Sequence, residues 1–220
     1  MLAVADEVDE VLYTRRLKEL EPDIVLACGD LPFDYLEYLV TVAAVPLVYV
    51  PGNHDADLTR RGAEEEIADF IQPFQLRRSS DEPLGPRGCI NADGRIVQEA
   101  GLRIAGLGGS KLYNFGPNQY SEAQMRRRAL TLEFRSATRR WLNGRSIDIL
   151  LTHTPPFGVG DREDPCHEGF QSFHRLIRQL SPSFLVHGHI HPHGGSQPDC
   201  HLNGTLVINA IKHRLIKIDL

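Results

Sequence analysis

Leu47-Val48-Tyr49-Val50-Pro51-Gly52-Asn53-His54-Asp55 is the stretch that decides the fold. Its first four residues are apolar, and three of them are β-branched or aromatic, which at this length reads as a buried strand. Pro51 and Gly52 end the strand, and three polar residues follow at once. The same arrangement recurs upstream. Residues 2–5 read as a strand ending at Asp6, and residues 24–28 as a strand ending at Gly29-Asp30. Between them lie helical patterns: residues 8–20, apolar at 8, 11, 12, 17 and 20 and stopped by Pro22, and residues 35–42. Strands that alternate with helices make βαβ units and a parallel sheet, so the fold class is α/β. Ligands in open sheets of this kind bind outside the carboxyl ends of the strands, where these polar clusters fall.

The rest of the chain is more mixed. Residues 60–70 carry a helical pattern, and residues 77–94 form a loop rich in Arg, Ser, Pro and Gly. Residues 95–99 and 102–107 read as a hairpin about Ala100-Gly101. Residues 121–142 predict a long charged helix with Asn143-Gly144 as its C-cap. Residues 147–151 and 184–186 read as buried strands. Residues 205–210 and 213–218 are expected to close the chain as an antiparallel pair, entered at the Asn203-Gly204 turn. No repeat and no composition break divides the chain, so residues 1–220 are expected to form a single domain.

Composition bounds the function. The 220 residues carry a net charge of −5, with 41% hydrophobic and 24% charged types, which is a globular balance and a poor one for gripping a nucleic-acid backbone. The longest apolar-rich stretch, residues 39–50, is too short to span a bilayer and contains Pro46. The opening residues have no basic segment and turn acidic at Asp6, unlike a signal peptide. Cys28, Cys89, Cys166 and Cys200 are far apart and form no CxxC pair, which points to reduced thiols and a cytoplasmic protein. No pattern encodes an oligomeric state.

His, Asp and Asn gather at five strand ends: Asp6, Asp30, Asn53-His54-Asp55, His153 and His189-Ile190-His191. Oxygen and imidazole donors without thiolate suit manganese, iron, zinc or magnesium rather than a structural thiolate zinc. In extended chain His189 and His191 point the same way, about 7 Å apart. Each could therefore hold one of two metals spaced about 3.5–4 Å. Asp30 is the natural bridge between such cations.

Gly29-Asp30, Gly52-Asn53-His54-Asp55, Thr152-His153-Thr154-Pro155-Pro156 and Gly188-His189-Ile190-His191, in this order, resemble the calcineurin-like metallophosphoesterase family. The motifs run from residue 6 to residue 191. The resemblance implies two packed mixed β-sheets flanked by helices, a four-layer sandwich. It also implies hydrolysis of a phosphomonoester or phosphodiester with two divalent metal ions, Mn2+ first, with Fe, Zn or Mg as alternatives. Asp30 would bridge the metals; Asn53, His153 and His189 would complete one site, and Asp6 and His191 would belong to the other. His54 would protonate the leaving oxygen, oriented by Asp55, while a hydroxide acidified by the cations attacks phosphorus. The implied partner is a small-molecule phosphoester, a nucleotide among the candidates.

One departure from the family pattern bears on the second site. The opening motif is D-x-H, and here Val8 stands where the histidine belongs. The Asp6/Asp30/His191 site then has three protein ligands, with water or another residue in the gap. Glu7 is adjacent, but strand alternation points it to the opposite face. His167, His187 and His193 are the other candidates. The alternative function is a non-catalytic relative that keeps the pocket and binds a nucleotide or a protein partner; the intact Asn53-His54-Asp55 argues against it.

Other features are weaker. Gly106–Lys111 lacks the spacing of a phosphate-binding loop. Ser110, Asn114, Asn118 and Tyr120 form a polar loop within reach of a substrate. The loop carrying Asp161, Asp164 and Cys166-His167-Glu168-Gly169 could line the pocket mouth. Arg126-Arg127-Arg128 reads as a solvated helix face. Selectivity is expected in loops 77–94, 108–121 and 157–170.

Overall fold

The computed structural model describes residues 1–56, 85–143, 147–192 and 198–218. Alternation along β1 (Leu2–Ala5) sets the layering. Leu2 and Val4 pack outward with Leu12, Leu17, Leu36 and Leu39, while Ala3 and Ala5 pack inward with Leu26, Ile104, Leu151 and Val186. β2 (Val25–Ala27) and β3 (Leu47–Tyr49) repeat the pattern, with Leu26 and Val48 inward and Val25, Ala27, Leu47 and Tyr49 outward. Each large apolar side chain taken from water contributes about 1.5–3 kcal/mol. A one-residue slip would exchange the two faces, so burial on both sides fixes the register.

With β4 (Ile90–Asn91), these strands run parallel, and β13 (Lys212–Leu215) joins antiparallel to β1, giving the order β13-β1-β2-β3-β4. The second sheet contains β5 (Ile96–Glu99), β6 (Leu102–Leu107), β9 (Ile149–Thr152), β10 (Phe184–His187), β11 (Cys200–Leu202) and β12 (Thr205–Asn209). Its order is β11-β12-β10-β9-β6-β5, four parallel strands with an antiparallel strand at each edge. A small separate pair joins β7 (Ser110–Lys111) and β8 (Gln119–Tyr120).

Helices cover both outer faces. α1 (Arg16–Glu19) and α2 (Phe33–Ala43) lie over the first sheet, burying Leu17, Tyr35, Leu36 and Leu39. α3 (Glu122–Asn143) and α4 (Ser172–Leu180) lie over the second. They bury Met125, Ala129 and Leu132, and Phe173, Leu176, Ile177 and Leu180, each set at helical spacing. The result is a helix–sheet–sheet–helix sandwich, the architecture the family resemblance implied.

Several local expectations are corrected. The helix expected over residues 8–20 is instead a 3-10 turn, Glu10–Tyr13, followed by the short α1. Asp9 caps the turn by accepting the Val11 N–H at 3.0 Å, and Thr14 Oγ1 accepts the Arg16 N–H at 3.2 Å, which restarts the chain as a second short helix. The closing antiparallel pair does not form. The Asn203-Gly204 turn instead joins β11 to β12, and the chain then crosses from one sheet to the other, so that β13 pairs with β1. α4 was not anticipated, although its 173/176/177/180 apolar spacing is legible. The expected helix at 60–70 and the Gly144 cap lie outside the described residues. No helix among the described residues is long and apolar enough to cross a membrane.

Candidate metal centre

The carboxyl ends of five parallel strands deliver the candidate residues: Asp6 after β1, Asp30 beyond β2, Asn53-His54-Asp55 beyond β3, His153 after β9, and His189 and His191 beyond β10. Three of them, Asp6 (φ 59°), Asp30 (φ 57°) and His189 (φ 68°), hold left-handed backbone. That conformation costs a non-glycine residue about 1–3 kcal/mol and persists only where surroundings impose it. Here tight turns impose it: Glu7 N–H donates to Ala5 O at 2.6 Å, and Ile190 N–H to Gly188 O at 2.8 Å. Such strain aims side chains.

Among the described residues, one donor atom from each of Asp6, Asp30, His153 and His189 lies within 4.8 Å of the others. Hydrogen bonds assign the ring protons. His153 Nδ1 lies 2.7 Å from the Cys28 carbonyl, which can only accept, so Nδ1 carries hydrogen. Nε2 then faces Asn53 Oδ1 at 3.0 Å and Asp30 Oδ2 at 3.4 Å. His189 Nε2 lies 2.6 Å from the Cys166 carbonyl, which leaves Nδ1 with its lone pair. Backbone carbonyls that fix imidazole tautomers in this way are a usual support of metal ligands.

The electrostatics call for positive charge at this point. Burial disfavours a charged His153, but Asp30, Asp6 and the Cys28 carbonyl outweigh it and raise its pKa to about 9. Burial raises the Asp6 carboxyl to about 6, against the pull of His153 and of the His189 N–H, which reaches Asp6 Oδ2 at 2.8 Å. Burial also works against ionised Asp30, yet His153 and the His54 N–H, 2.8 Å from Oδ1, keep it below the ordinary carboxylate range. Burial and His153 push His189 down to about 3, so it is neutral, as a ligand must be. Two carboxylates, an amide oxygen and two imidazoles fit divalent cations of the Mn, Fe, Zn or Mg type.

The remaining candidates stand around this group. The exposed His54 sits beside Asp30, held there through its backbone. Asp55 Oδ2 accepts the N–H groups of Gly52 (2.7 Å) and Asp30 (3.0 Å), tying two ligand-bearing loops together. His191 lies outside the four-residue group, half exposed, with Nδ1 2.9 Å from Glu7 Oε1. Glu7 therefore does not point away as strand alternation suggested, because the left-handed Asp6 ends the alternation. Val8 packs into the apolar layer outside the first sheet. His187 is buried, its Nδ1 donating to Gly188 O at 2.9 Å, and His193 lies outside the described residues.

The family model for calcineurin-like phosphoesterases matches residues 4–193. The chain belongs to the calcineurin-like phosphoesterase family. Metal-dependent phosphoester hydrolysis is the general activity of that family. One solved structure superposes with a TM-score of 0.63 at 18% identity, covering 96% of this chain and 90% of that one. TT1561 of Thermus thermophilus superposes with a TM-score of 0.58 at 17% identity, covering 96% and 88%. Both likenesses concern the fold. No curated protein sequence matches significantly.

In this calcineurin-like chain one support, Tyr113, escaped the sequence reading, and another, Asn118, has a different role from the substrate contact expected of it. Tyr113 Oη accepts the Asn53 amide at 3.2 Å, leaving Asn53 Oδ1 toward His153. Asn118 Nδ2 donates to the carbonyls of Gly52 (3.0 Å) and Asp55 (3.1 Å), so the polar loop clamps the Asn53–Asp55 turn rather than hanging free over it. Tyr113 gave no signal in sequence. Gly52 and Gly188 are explained by space: a Cβ would lie 2.0 Å from Asp30 Oδ1 at the first and 2.2 Å from Asp6 Oδ2 at the second.

Proposed function

We propose that residues 1–220 form one metallophosphoesterase domain that hydrolyses a small-molecule phosphomonoester or phosphodiester, nucleotides included. The observation that carries this reading is the convergence of Asp6, Asp30, His153 and His189, with Asn53 against His153 and the exposed His54 beside them. Asp30, Asn53, His153 and His189 would hold one divalent cation, and Asp6, Asp30 and His191 a second, weaker one, Mn2+ being the best match to a donor set without sulfur. Bound there, the cations would acidify water and neutralise phosphoryl oxygens.

The chain's own residues supply the rest. The carbonyls of Cys28 and Cys166 fix the tautomers of His153 and His189. Tyr113 orients the Asn53 amide. Asp30 Oδ1 anchors the backbone of His54, whose ring stands in solvent where an incoming ester can meet it, and the imidazolium would give its proton to the leaving oxygen. Asp55 stabilises that turn through the Gly52 and Asp30 N–H groups.

A binding-only relative is the second reading, favoured by Val8 and by the attachment of His191 to Glu7. Turnover of nitrophenyl phosphate and of its bis-ester with added Mn2+, Mg2+, Fe2+ or Zn2+ separates the two. Hydrolysis of either ester supports the enzyme; inertness of both with all four metals favours the binder.

A further inference from the structure

We propose that Asp164, Cys166 and His167 form a separate binding site for a zinc-class divalent cation on the 157–170 loop. Three donors of different chemistry converge there. Cys166 Sγ lies 2.8 Å, and His167 Nδ1 2.6 Å, from the same oxygen, Asp164 Oδ1, and Sγ and Nδ1 are 3.5 Å apart. Donors around a tetrahedral zinc, with bonds of about 2.0–2.3 Å, stand about 3.3–3.6 Å from one another. The sulfur–nitrogen separation already meets that requirement. The two distances to Oδ1 are hydrogen-bond distances, and they lengthen when a cation takes the place of the bridging protons.

Charge and protons balance simply. Binding sends the Cys166 thiol proton to solvent and leaves a thiolate; the hydrogen that His167 Nδ1 now gives to Asp164 Oδ1 is lost to solvent and a ring hydrogen is kept on Nε2, so that Nδ1 is free to bind. Asp164 contributes its carboxylate, and the remaining position stays open to water, as in three-ligand zinc sites. All three side chains are partly exposed, so an ion reaches them directly. The loop is framed without the ion: Arg162 N–H donates to His167 O at 3.2 Å, His167 N–H to Asp164 O at 3.1 Å, and Gly169 N–H to Asp161 Oδ2 at 3.0 Å.

The sulfur sets this site apart. A thiolate selects a borderline-soft ion such as Zn2+ over Mg2+ or Mn2+, whereas the strand-end centre has oxygen and nitrogen donors only. The two nevertheless touch through His189. Its ring packs on the His167 ring with centroids 5.3 Å apart, and its Nε2 donates to the carbonyl of Cys166. An ion on the loop thus bears on the orientation of a candidate ligand without sharing a donor with it.

Cobalt titration of the full chain tests the site, because cobalt–thiolate ligation gives a near-ultraviolet charge-transfer absorption that oxygen and nitrogen ligands lack. The wild type is expected to develop this band, with loss on adding Zn2+ and none on adding Mg2+. The band should persist in Cys200→Ser and vanish in Cys166→Ser, and His167→Ala should weaken cobalt binding by about tenfold or more. No band in the wild type, or a band that survives Cys166→Ser, overturns the proposal. Asp30→Asn disables the strand-end centre, and the band should survive it, so the loop site and the hydrolase reading fail independently.

Discussion

Glu7 Oε1 lies 2.9 Å from His191 Nδ1, joining the residue after Asp6 to the last histidine of the Gly188–His191 segment. The contact closes where the family pattern is broken, for Val8 has turned into the apolar layer and offers the site nothing. Glu7 accepts the Nδ1 proton, so Nε2 is the ring nitrogen of His191 left to face a cation. Lys212 Nζ lies 3.6 Å from the other oxygen of Glu7, so the carboxylate is also steadied from β13.

Glu7→Ala should therefore loosen the second cation by about ten- to a hundredfold, the usual cost of losing a carboxylate behind a histidine ligand. Glu7→Gln, which can still accept from Nδ1, should lose less. Calorimetric titration with Mn2+ measures both. Equal affinity in wild type and Glu7→Ala would show that His191 needs no such support.

His54→Ala should lower turnover by about 10²–10⁴-fold, the range for losing a general acid, while metal content stays at the wild-type level. Its backbone, not its ring, is what Asp30 holds, so the substitution leaves the ligand group in place. Metal analysis after dialysis checks the second half of the statement. Metal loss in this variant would make His54 a ligand rather than an acid.

How much of this was legible follows from where local pattern sufficed. β1, β2 and β3 and their polar ends were readable because a short continuous apolar run and an abrupt apolar-to-polar change lie within a few residues. Glu7 was not, since its direction depends on one backbone torsion at Asp6 (φ 59°) that no side-chain pattern reports. The partner of β13 was equally hidden: its alternation says that it is a strand but not which of two sheets has the open edge. Tyr113 and Asn118 act on Asn53 and on the Gly52–Asp55 turn from about 60 residues away, a distance that alternation and capping rules do not span. α4 was the one omission with a usable signal, its apolar residues at 173, 176, 177 and 180.

Gly188→Ala should damage the centre through Asp6. The added Cβ would sit 2.2 Å from Asp6 Oδ2 and 2.6 Å from Ala5 Cβ, and Ala5 is fully buried in the sheet and cannot yield. The relief is displacement of the Asp6 carboxylate, at about 1–3 kcal/mol of stability by the usual scale for overpacking. Second-cation binding should fall while the Asn53/His153/His189 side keeps its ion. Urea unfolding and metal stoichiometry read the two effects separately, and wild-type values in both would contradict the clash.

Arg128 should be worth far more than its neighbours in the arginine run. Arg126 and Arg127 are exposed, as a solvated face requires, but Arg128 turns inward. Its Nη2 donates to Asp93 Oδ2 at 2.6 Å, its Nη1 to Gly108 O at 3.0 Å, and its guanidinium stacks 4.1 Å from the Tyr120 ring centre. Asp93 Oδ1 in turn accepts the Gly108 N–H at 2.6 Å, so one ion pair pins the end of β6 where the chain leaves for the Tyr113 and Asn118 loop. The side chains are 20% and 21% exposed, which discounts the cost of breaking a fully buried pair. Arg128→Ala should then lose about 2–3 kcal/mol. Arg128→Lys should recover only part of it, because an ammonium cannot fork to Asp93 and Gly108 together. Arg127→Ala, the control, should stay within about 0.5 kcal/mol of wild type. Equal unfolding midpoints for the 127 and 128 alanine variants would mean that the pair holds nothing in place.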